Sequence, residues 1–253
     1  MDNQQLRLNK FLAERLGLSR READAEIAAG KVKIDGRTAI LGARLDKNNK
    51  VCYNGKIVPF ETDFTYLMFY KPVGYVCSRR AQGPAPTLYE LLPKKYQNLK
   101  TVGRLDKDSS GLILLTNDGD FAYQMTHPKF RKTKVYEVEL DHPLAPLPQQ
   151  MISDFGVMLD DGVSRFKIIS EAWAGDGDGR GPQNVLRSKN FGEGESPAGP
   201  AQRYLVFLSE GRNRQIRRTF AALGYTVTKL HRTHFGLYEL GALKPGEYVI
   251  IKP

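Results

Sequence analysis

Gly103-Arg104-Leu105-Asp106-Lys107-Asp108-Ser109-Ser110-Gly111-Leu112-Ile113-Leu114-Leu115 is a polar, charged loop that runs without a break into an aliphatic stretch. An apolar run this short, bounded by turn residues, predicts a strand buried on both faces, and such a strand belongs in the middle of a sheet. The loop is therefore delivered to the edge of a rigid core. Asp106 lies within it, with Arg104 two residues earlier and the small residues Ser109, Ser110 and Gly111 after it. A carboxylate in that position can act as a base, a nucleophile or a metal ligand; most Asp-rich loops are simply solvated turns.

Working outward, the chain before this loop divides in two. Leu8, Phe11, Leu12 and Leu16 share a helical face that Gly17 closes. Ser19 and Glu22 make a capping box for a second helix with an apolar side at Ala23, Ile27 and Ala28, ended by Gly30. Residues 31–36 alternate into an Asp35-Gly36 turn, and residues 51–58 flank Asn54-Gly55, so two hairpin signals follow. This module ends near Phe60. Glu61-Thr62-Asp63 reads as a linker, which sets domains at 1–62 and 63–253.

Beyond the linker, residues 66–70 form a strand stopped by Lys71-Pro72-Val73-Gly74. Arg79-Arg80-Ala81-Gln82 is a basic loop suited to phosphate. Thr87 and Glu90 cap a short helix that Pro93 stops, and Asn117-Asp118-Gly119-Asp120 opens another. Residues 134–140 alternate strongly as a strand, 151–155 make a helical turn, and 165–171 are a further strand. Residues 175–202 turn to Gly, Pro, Asp, Glu and Ser, a flexible insertion. Then come a strand at 204–208, a basic helix after Ser209-Glu210-Gly211 that Gly224 ends, and strands at 227–230 and 249–252. Separate strands with few long helices predict an α+β fold on a mixed, mostly antiparallel sheet.

Lys and Arg number 38 against 28 Asp and Glu, a net charge of +10. That excess points to a polyanion partner, because basic surface gathers phosphates by releasing counterions. No apolar run is long enough to span a bilayer and the first residues are polar, so a membrane partner is not expected. Cys52 and Cys77 lack metal-ligand spacing, and so few cysteines suit the reducing cytoplasm, with a disulfide between the two not expected.

The string Gly103–Leu112 resembles the catalytic loop of pseudouridine synthases, in the branch that modifies ribosomal RNA. Residues 7–36, RLNKFLAERLGLSRREADAEIAAGKVKIDG, resemble the S-four-type RNA-binding domain. Lys134-Val135-Tyr136 is similar to the family's second motif and Gly211-Arg212-Asn213-Arg214-Gln215-Ile216-Arg217 to its third, in the family's order. The resemblance implies that Asp106 is the essential carboxylate, that Tyr136 stacks on the target base, and that Arg217 pairs with Asp106. Beside Arg217, Ile216 would line an apolar pocket wall; Arg104 would fill the gap left by the flipped base or grip its phosphate, unless it is a plain surface residue, and Arg212 and Arg214 face RNA or solvent. In the N-terminal module it assigns RNA contact to Arg20, Arg21 and Lys31. Taken alone, Tyr136 is an ordinary strand aromatic and the basic helix an ordinary solvated face. Departures are Ser109 where Thr is frequent and the 175–202 insertion.

The implied reaction cleaves the bond between ribose and uracil nitrogen and re-forms it to carbon. No electrons or groups enter, so no cofactor and no metal are expected. The implied partner is ribosomal RNA, and GRNRQIRR followed by Val227-Thr228-Lys229-Leu230 leans to the large subunit. A monomer is expected. Rival readings are a synthase acting on tRNA, a non-catalytic ribosome-assembly factor, and a metal-dependent nuclease. The last lacks a carboxylate partner for His231 and His234.

Overall fold

The computed structural model describes residues 5–61, 63–79, 83–170 and 203–253. The 175–202 insertion lies outside the described residues, as do Thr62 and Arg80-Ala81-Gln82.

The amino-terminal module holds α1 (Leu8–Arg15) and α2 (Arg20–Ala28), with β1 (Leu6–Arg7), β2 (Val32–Ile34), β3 (Arg37–Thr38), β4 (Arg44–Leu45), β5 (Val51–Tyr53) and β6 (Lys56–Ile57). β1 pairs with β4, and a small sheet runs in the order β3-β2-β5-β6. The capping box of α2 is complete: the Glu22 amide donates to Ser19 Oγ at 3.1 Å, and the Ser19 amide donates to Glu22 Oε2 at 2.7 Å. Leu8, Phe11, Leu12, Ala23, Ile27, Val32, Leu45 and Val51 close one apolar core beneath the helices.

The rest of the chain is built on β7 (Tyr66–Lys71), β8 (Lys100–Val102), β9 (Ser110–Thr116), α3 (Gly119–Thr126), β10 (Lys134–Leu140), α4 (Pro146–Gln150), β11 (Val157–Leu159), β12 (Gly162–Ser164), β13 (Lys167–Ser170), β14 (Arg203–Leu208), α5 (Gln215–Ala221), β15 (Val227–Phe235), β16 (Tyr238–Glu239) and β17 (Tyr248–Ile250). One sheet runs β13-β14-β10-β15-β9-β7-β17, with β8 on β9 and β16 on β15. Its pairs are antiparallel except β15 with β9, where His231 lies beside Ser110 and Arg232 beside Gly111. This is the mixed, mostly antiparallel α+β architecture that the strand pattern predicts.

β9 explains the unbroken apolar run. Every one of its residues is buried. Ile113 and Leu115 enter the core that contains Phe69, Val138 and Phe220; Leu112 and Leu114 enter a second core with Val102, Met125 and Phe235 on the other face. Each such side chain contributes roughly 1.5–3 kcal/mol of burial. The strand that carries the Asp106 loop is thus clamped from both sides.

Three elements differ from expectation. The strand expected at 227–230 continues to Phe235, through His231-Arg232-Thr233-His234, which are polar yet buried. The helix after Thr87 is a tight 3₁₀ turn with the anticipated Thr87–Glu90 box. Arg79, expected to face phosphate, instead donates to the Asn98 carbonyl and, at 3.1 Å, to that of Leu99, with its guanidinium 5.6 Å from the Tyr89 ring centre. The two modules meet through Lys10, whose Nζ lies 2.6 Å from Asp120 Oδ1, and Lys100, which donates to the Leu18 carbonyl at 2.9 Å. Among the described residues no helix is long and apolar enough to cross a membrane.

Candidate active site

The Asp106 loop is fixed by its backbone. Cys77 holds residue 105 at both ends: its Sγ donates to the Leu105 carbonyl and accepts from the Leu105 amide, each at 3.3 Å. Lys71, wholly buried at the end of β7, donates to the carbonyls of Ser109 at 2.6 Å and Pro72 at 2.9 Å. The Gly74 amide donates to the Lys107 carbonyl at 2.8 Å. Burial pulls the Lys71 ammonium down to about 8, against the raising pull of Cys77, Asp106 and Asp108. None of these ties uses the Asp106 carboxylate.

That carboxylate lines a cavity of about 230 Å³. Tyr136, Ile216, Leu208, Leu230 and Phe235 give it apolar walls; Arg104, Lys134, Arg214 and Arg232 give it positive charge. Lys134 and Tyr136 share a face of β10, two residues apart, and Tyr136 sits beside Arg232 of β15 in register. Burial takes the Lys134 ammonium down to about 8, and Arg232 adds to the shift.

Here the third motif departs from what the resemblance implies. Among the described residues the cation within 4 Å of Asp106 is Arg214, its Nη1 3.9 Å from Oδ2, and the same Nη1 donates to Asp108 Oδ2 at 3.3 Å. Arg214 can reach because it stands in the left-handed conformation, φ +46°, at the start of α5. Arg217 pairs with Asp108 instead, its Nε 3.8 Å from Oδ2. Its two amino groups donate to the Asp108 carbonyl at 2.8 Å and the Val227 carbonyl at 2.7 Å. Arg217 therefore ties the loop to α5 and β15, one step removed from the expected carboxylate. For Asp108 burial works upward, but its own amide, Arg214 and Arg217 outweigh it and hold the carboxyl below the usual range.

Arg212 is also spent within the fold. It donates to Asp161 Oδ1 at 3.0 Å and to the carbonyls of Gly162 at 2.9 Å and Val163 at 2.8 Å, pinning the β11–β12 hairpin. Arg212 also lines the cavity that Asp106 lines. Arg104 and Arg214 are exposed at the cavity rim.

In the first module Arg20, Arg21 and Lys31 are exposed. Arg20 donates to Asn9 Oδ1 at 3.2 Å, and Lys31 lies 2.9 Å from Glu26 Oε2. The Glu22 amide is taken by the Ser19 cap.

Lys71, Cys77, Lys134 and Arg232 were not singled out for the site by the sequence patterns. Period-two alternation carries the signal for two of them: Leu67, Phe69 and Lys71 share the buried side of β7, and Lys134 lies one pleat from Tyr136.

A family model described as RNA pseudouridylate synthase matches residues 65–222, and one described as S4 domain matches residues 6–49. The chain belongs to the RNA pseudouridylate synthase family. It is accordingly an isomerase with an S4 domain at its amino end. This synthase is 34% identical over 246 residues to "Ribosomal small subunit pseudouridine synthase A" of Pasteurella multocida, covering 96% of this chain and 94% of that protein. It is 33% identical over 238 residues to "Ribosomal large subunit pseudouridine synthase B" of Vibrio cholerae serotype O1, covering 91% of this chain and 66% of that protein. A solved structure titled "Crystal structure of pseudouridylate synthase" superposes with a TM-score of 0.62 at 28% identity, over 98% of this chain and 96% of the other.

Proposed function

We propose that this synthase isomerises one uridine of ribosomal RNA, in the large subunit on the reading of GRNRQIRR and the strand that follows it. The S4 domain, spanning about 1–62, supplies affinity and orientation through Arg20, Arg21 and Lys31. The rim residues Arg104 and Arg214 receive the phosphates beside the target. The uridine leaves the stack and enters the cavity, where Tyr136 and Ile216 sandwich its base and Asp106 meets the reacting atoms. The chain works as a monomer in the cytoplasm and needs no cofactor, since the reaction neither gains nor loses electrons.

The observation that carries this reading is the placement of Asp106. Its carboxylate faces an apolar-walled, positively charged cavity on a loop whose rigidity comes from other atoms. A preorganised carboxylate beside a base-sized apolar wall suits attack at the sugar or base carbon. The relatives named for the two subunits are 34% and 33% identical, so the test offers both RNAs. Purified protein is incubated with unmodified small-subunit rRNA, large-subunit rRNA and tRNA, and pseudouridines are mapped by carbodiimide chemistry. One modified position in large-subunit rRNA is expected. Modification of tRNA alone, or binding with no modification, would refute the assignment.

Arg217 and Arg212 separate positioning from scaffolding. R217K removes the two-carbonyl fork that holds Asp108 and Val227, and a displaced loop costs rate: a loss on the order of 10²-fold in single-turnover rate is expected. R212K loosens the hairpin, so its melting temperature falls while the rate stays within about threefold, since none of the hairpin ties holds the Asp106 loop. Equal rate losses in the two variants would count against Arg217 as the residue that positions the loop.

A further inference from the structure

The floor of the cavity holds a guanidinium that the reaction as described leaves unused. Arg232 is 2% exposed, and its Nε donates to the Leu112 carbonyl at 2.7 Å. Its Nη2 is buried and has no hydrogen-bond partner among the described residues. No carboxylate lies within 4 Å of it among those residues. Its neighbours are instead the Tyr136 ring, 6.0 Å from centroid to guanidinium carbon, and the Phe235 ring at 4.9 Å. Buried arginines are normally paired with an acid, because an isolated charge in a low-dielectric interior is costly. Nearby titratable groups include the cations Lys134 and Lys71, whose protonation Arg232 opposes, and the Cys77 thiol, while Asp106 lines the same cavity. The fold has therefore concentrated positive charge where one donor edge is still open.

We propose that Arg232 is a catalytic residue of the isomerisation, donating from the cavity floor to a carbonyl oxygen of the flipped uracil and stabilising the negative charge that the base acquires. This rests on the isomerase reading above. A nucleotide entering base first leaves its phosphates at the rim with Arg104 and Arg214, so the group that reaches Arg232 is the base. When the C1′–N1 bond breaks, its electron pair passes to the base and spreads over N1, O2 and O4. The sugar carbon is met by the Asp106 carboxylate. After the base turns, C5 bonds to C1′ and displaces that carboxylate, the C5 proton leaves to solvent, and N1 takes up a proton. No oxidant or reductant is needed. Uracil is neutral before cleavage and anionic after it, so a fixed guanidinium binds the transition state more tightly than the substrate.

The test compares uridine with 5-fluorouridine at the target position of the same RNA under single-turnover, RNA-saturating conditions, and reads loss of the N1-linked nucleoside by mass spectrometry of the digested RNA; with fluorine at C5 no proton can leave after re-bonding, so that turnover ends at the C5-linked ring with water added at C6. The fluoro ring is the weaker base and the better leaving group, and depends less on an external donor. R232Q is expected to lose about 10²-fold on uridine RNA, the scale of one oxyanion donor. On the fluoro RNA it should lose at least tenfold less, with RNA affinity within threefold of wild type. R232K keeps the charge and most of the stem, and decides the matter should R232Q fail to fold: its fluoro-to-uridine rate ratio should rise at least threefold. Equal losses on both RNAs, or a loss that follows RNA affinity, would overturn the role of Arg232 alone. No reaction by the wild-type protein on either RNA would sink the isomerase reading with it.

Discussion

Asp106→Asn is expected to abolish isomerisation, lowering the rate roughly 10⁴-fold or more, the scale seen when a nucleophile or its obligate partner is removed. The readout is tritium released from C5 of uridine in the target RNA, since the reaction expels that hydrogen. The fold should not notice the change. The loop is anchored at Leu105 by Cys77 and at Ser109 by Lys71, and the Asp106 carbonyl, not its carboxylate, accepts from the Ser109 amide at 3.1 Å. RNA affinity should stay level or rise, because Arg214 loses the negative charge 3.9 Å from it and is freer for phosphate. Asp108→Asn is the control. Its carboxylate is half exposed and serves Arg214 and Arg217, so a rate loss of about tenfold is expected from a loosened loop. Were D108N the more damaging of the two, the catalytic role would belong to Asp108.

This pair of acids also marks where sequence reading stops. Loop and strand were legible because the signal is local: a charged turn, small residues, then an aliphatic run too short for a helix. The Ser19–Glu22 box, the Asn54-Gly55 hairpin and the alternation of residues 134–140 were legible for the same reason. Each is set by neighbours a few residues apart. Which acid faces which arginine is not local. Asp106 and Asp108 are separated by one residue and Arg214 and Arg217 by two, and in the fold Arg214 reaches both acids while Arg217 meets Asp108. Arg214 stands in the left-handed conformation there, and nothing in Arg-Asn-Arg-Gln announces it.

The buried polar residues were hidden for a related reason. Lys71 precedes a proline and reads as a turn, yet it closes the buried face of β7 because two carbonyls of the neighbouring loop, with that of Pro72, converge on its ammonium. His231-Arg232-Thr233-His234 reads as the end of a strand. It continues the sheet because polar partners await: His231 Nδ1 and Ser110 Oγ lie 2.9 Å apart, and Thr233 Oγ1 donates to the Val135 carbonyl. Burial also takes the His231 ring down to about 4. Hydropathy counts such residues as exposed; only the assembled sheet supplies the donors and acceptors that let them inside. Positions that break the local rule in this way lie around the site, where consistency between pattern and fold is most often given up for function.

Gly111→Ala should be the most destructive change outside the chemistry. Gly111 sits at φ +108° at the start of β9, a region L-residues avoid. It also faces Arg232 across the parallel β9–β15 pair. A methyl built there would lie 2.6 Å from the Arg232 amide nitrogen and 2.8 Å from its carbonyl carbon, and nearer still to the carbonyl oxygen. These are backbone atoms in the middle of the sheet, so no rotamer change relieves the clash and the strands must part. A cost of roughly 3–5 kcal/mol is expected, at the upper end for a single substitution. Against a total stability of about 5–15 kcal/mol, that leaves the chain marginal or unfolded, to be read from the urea midpoint or from loss of soluble protein. Any folded fraction should also be slow, because moving β15 shifts Arg232 beneath Tyr136 and moving β9 shifts the loop that carries Asp106. A G111A protein with wild-type midpoint and rate would mean that the two strands do not approach as closely as the register requires, and the site's geometry would have to be rebuilt from that point.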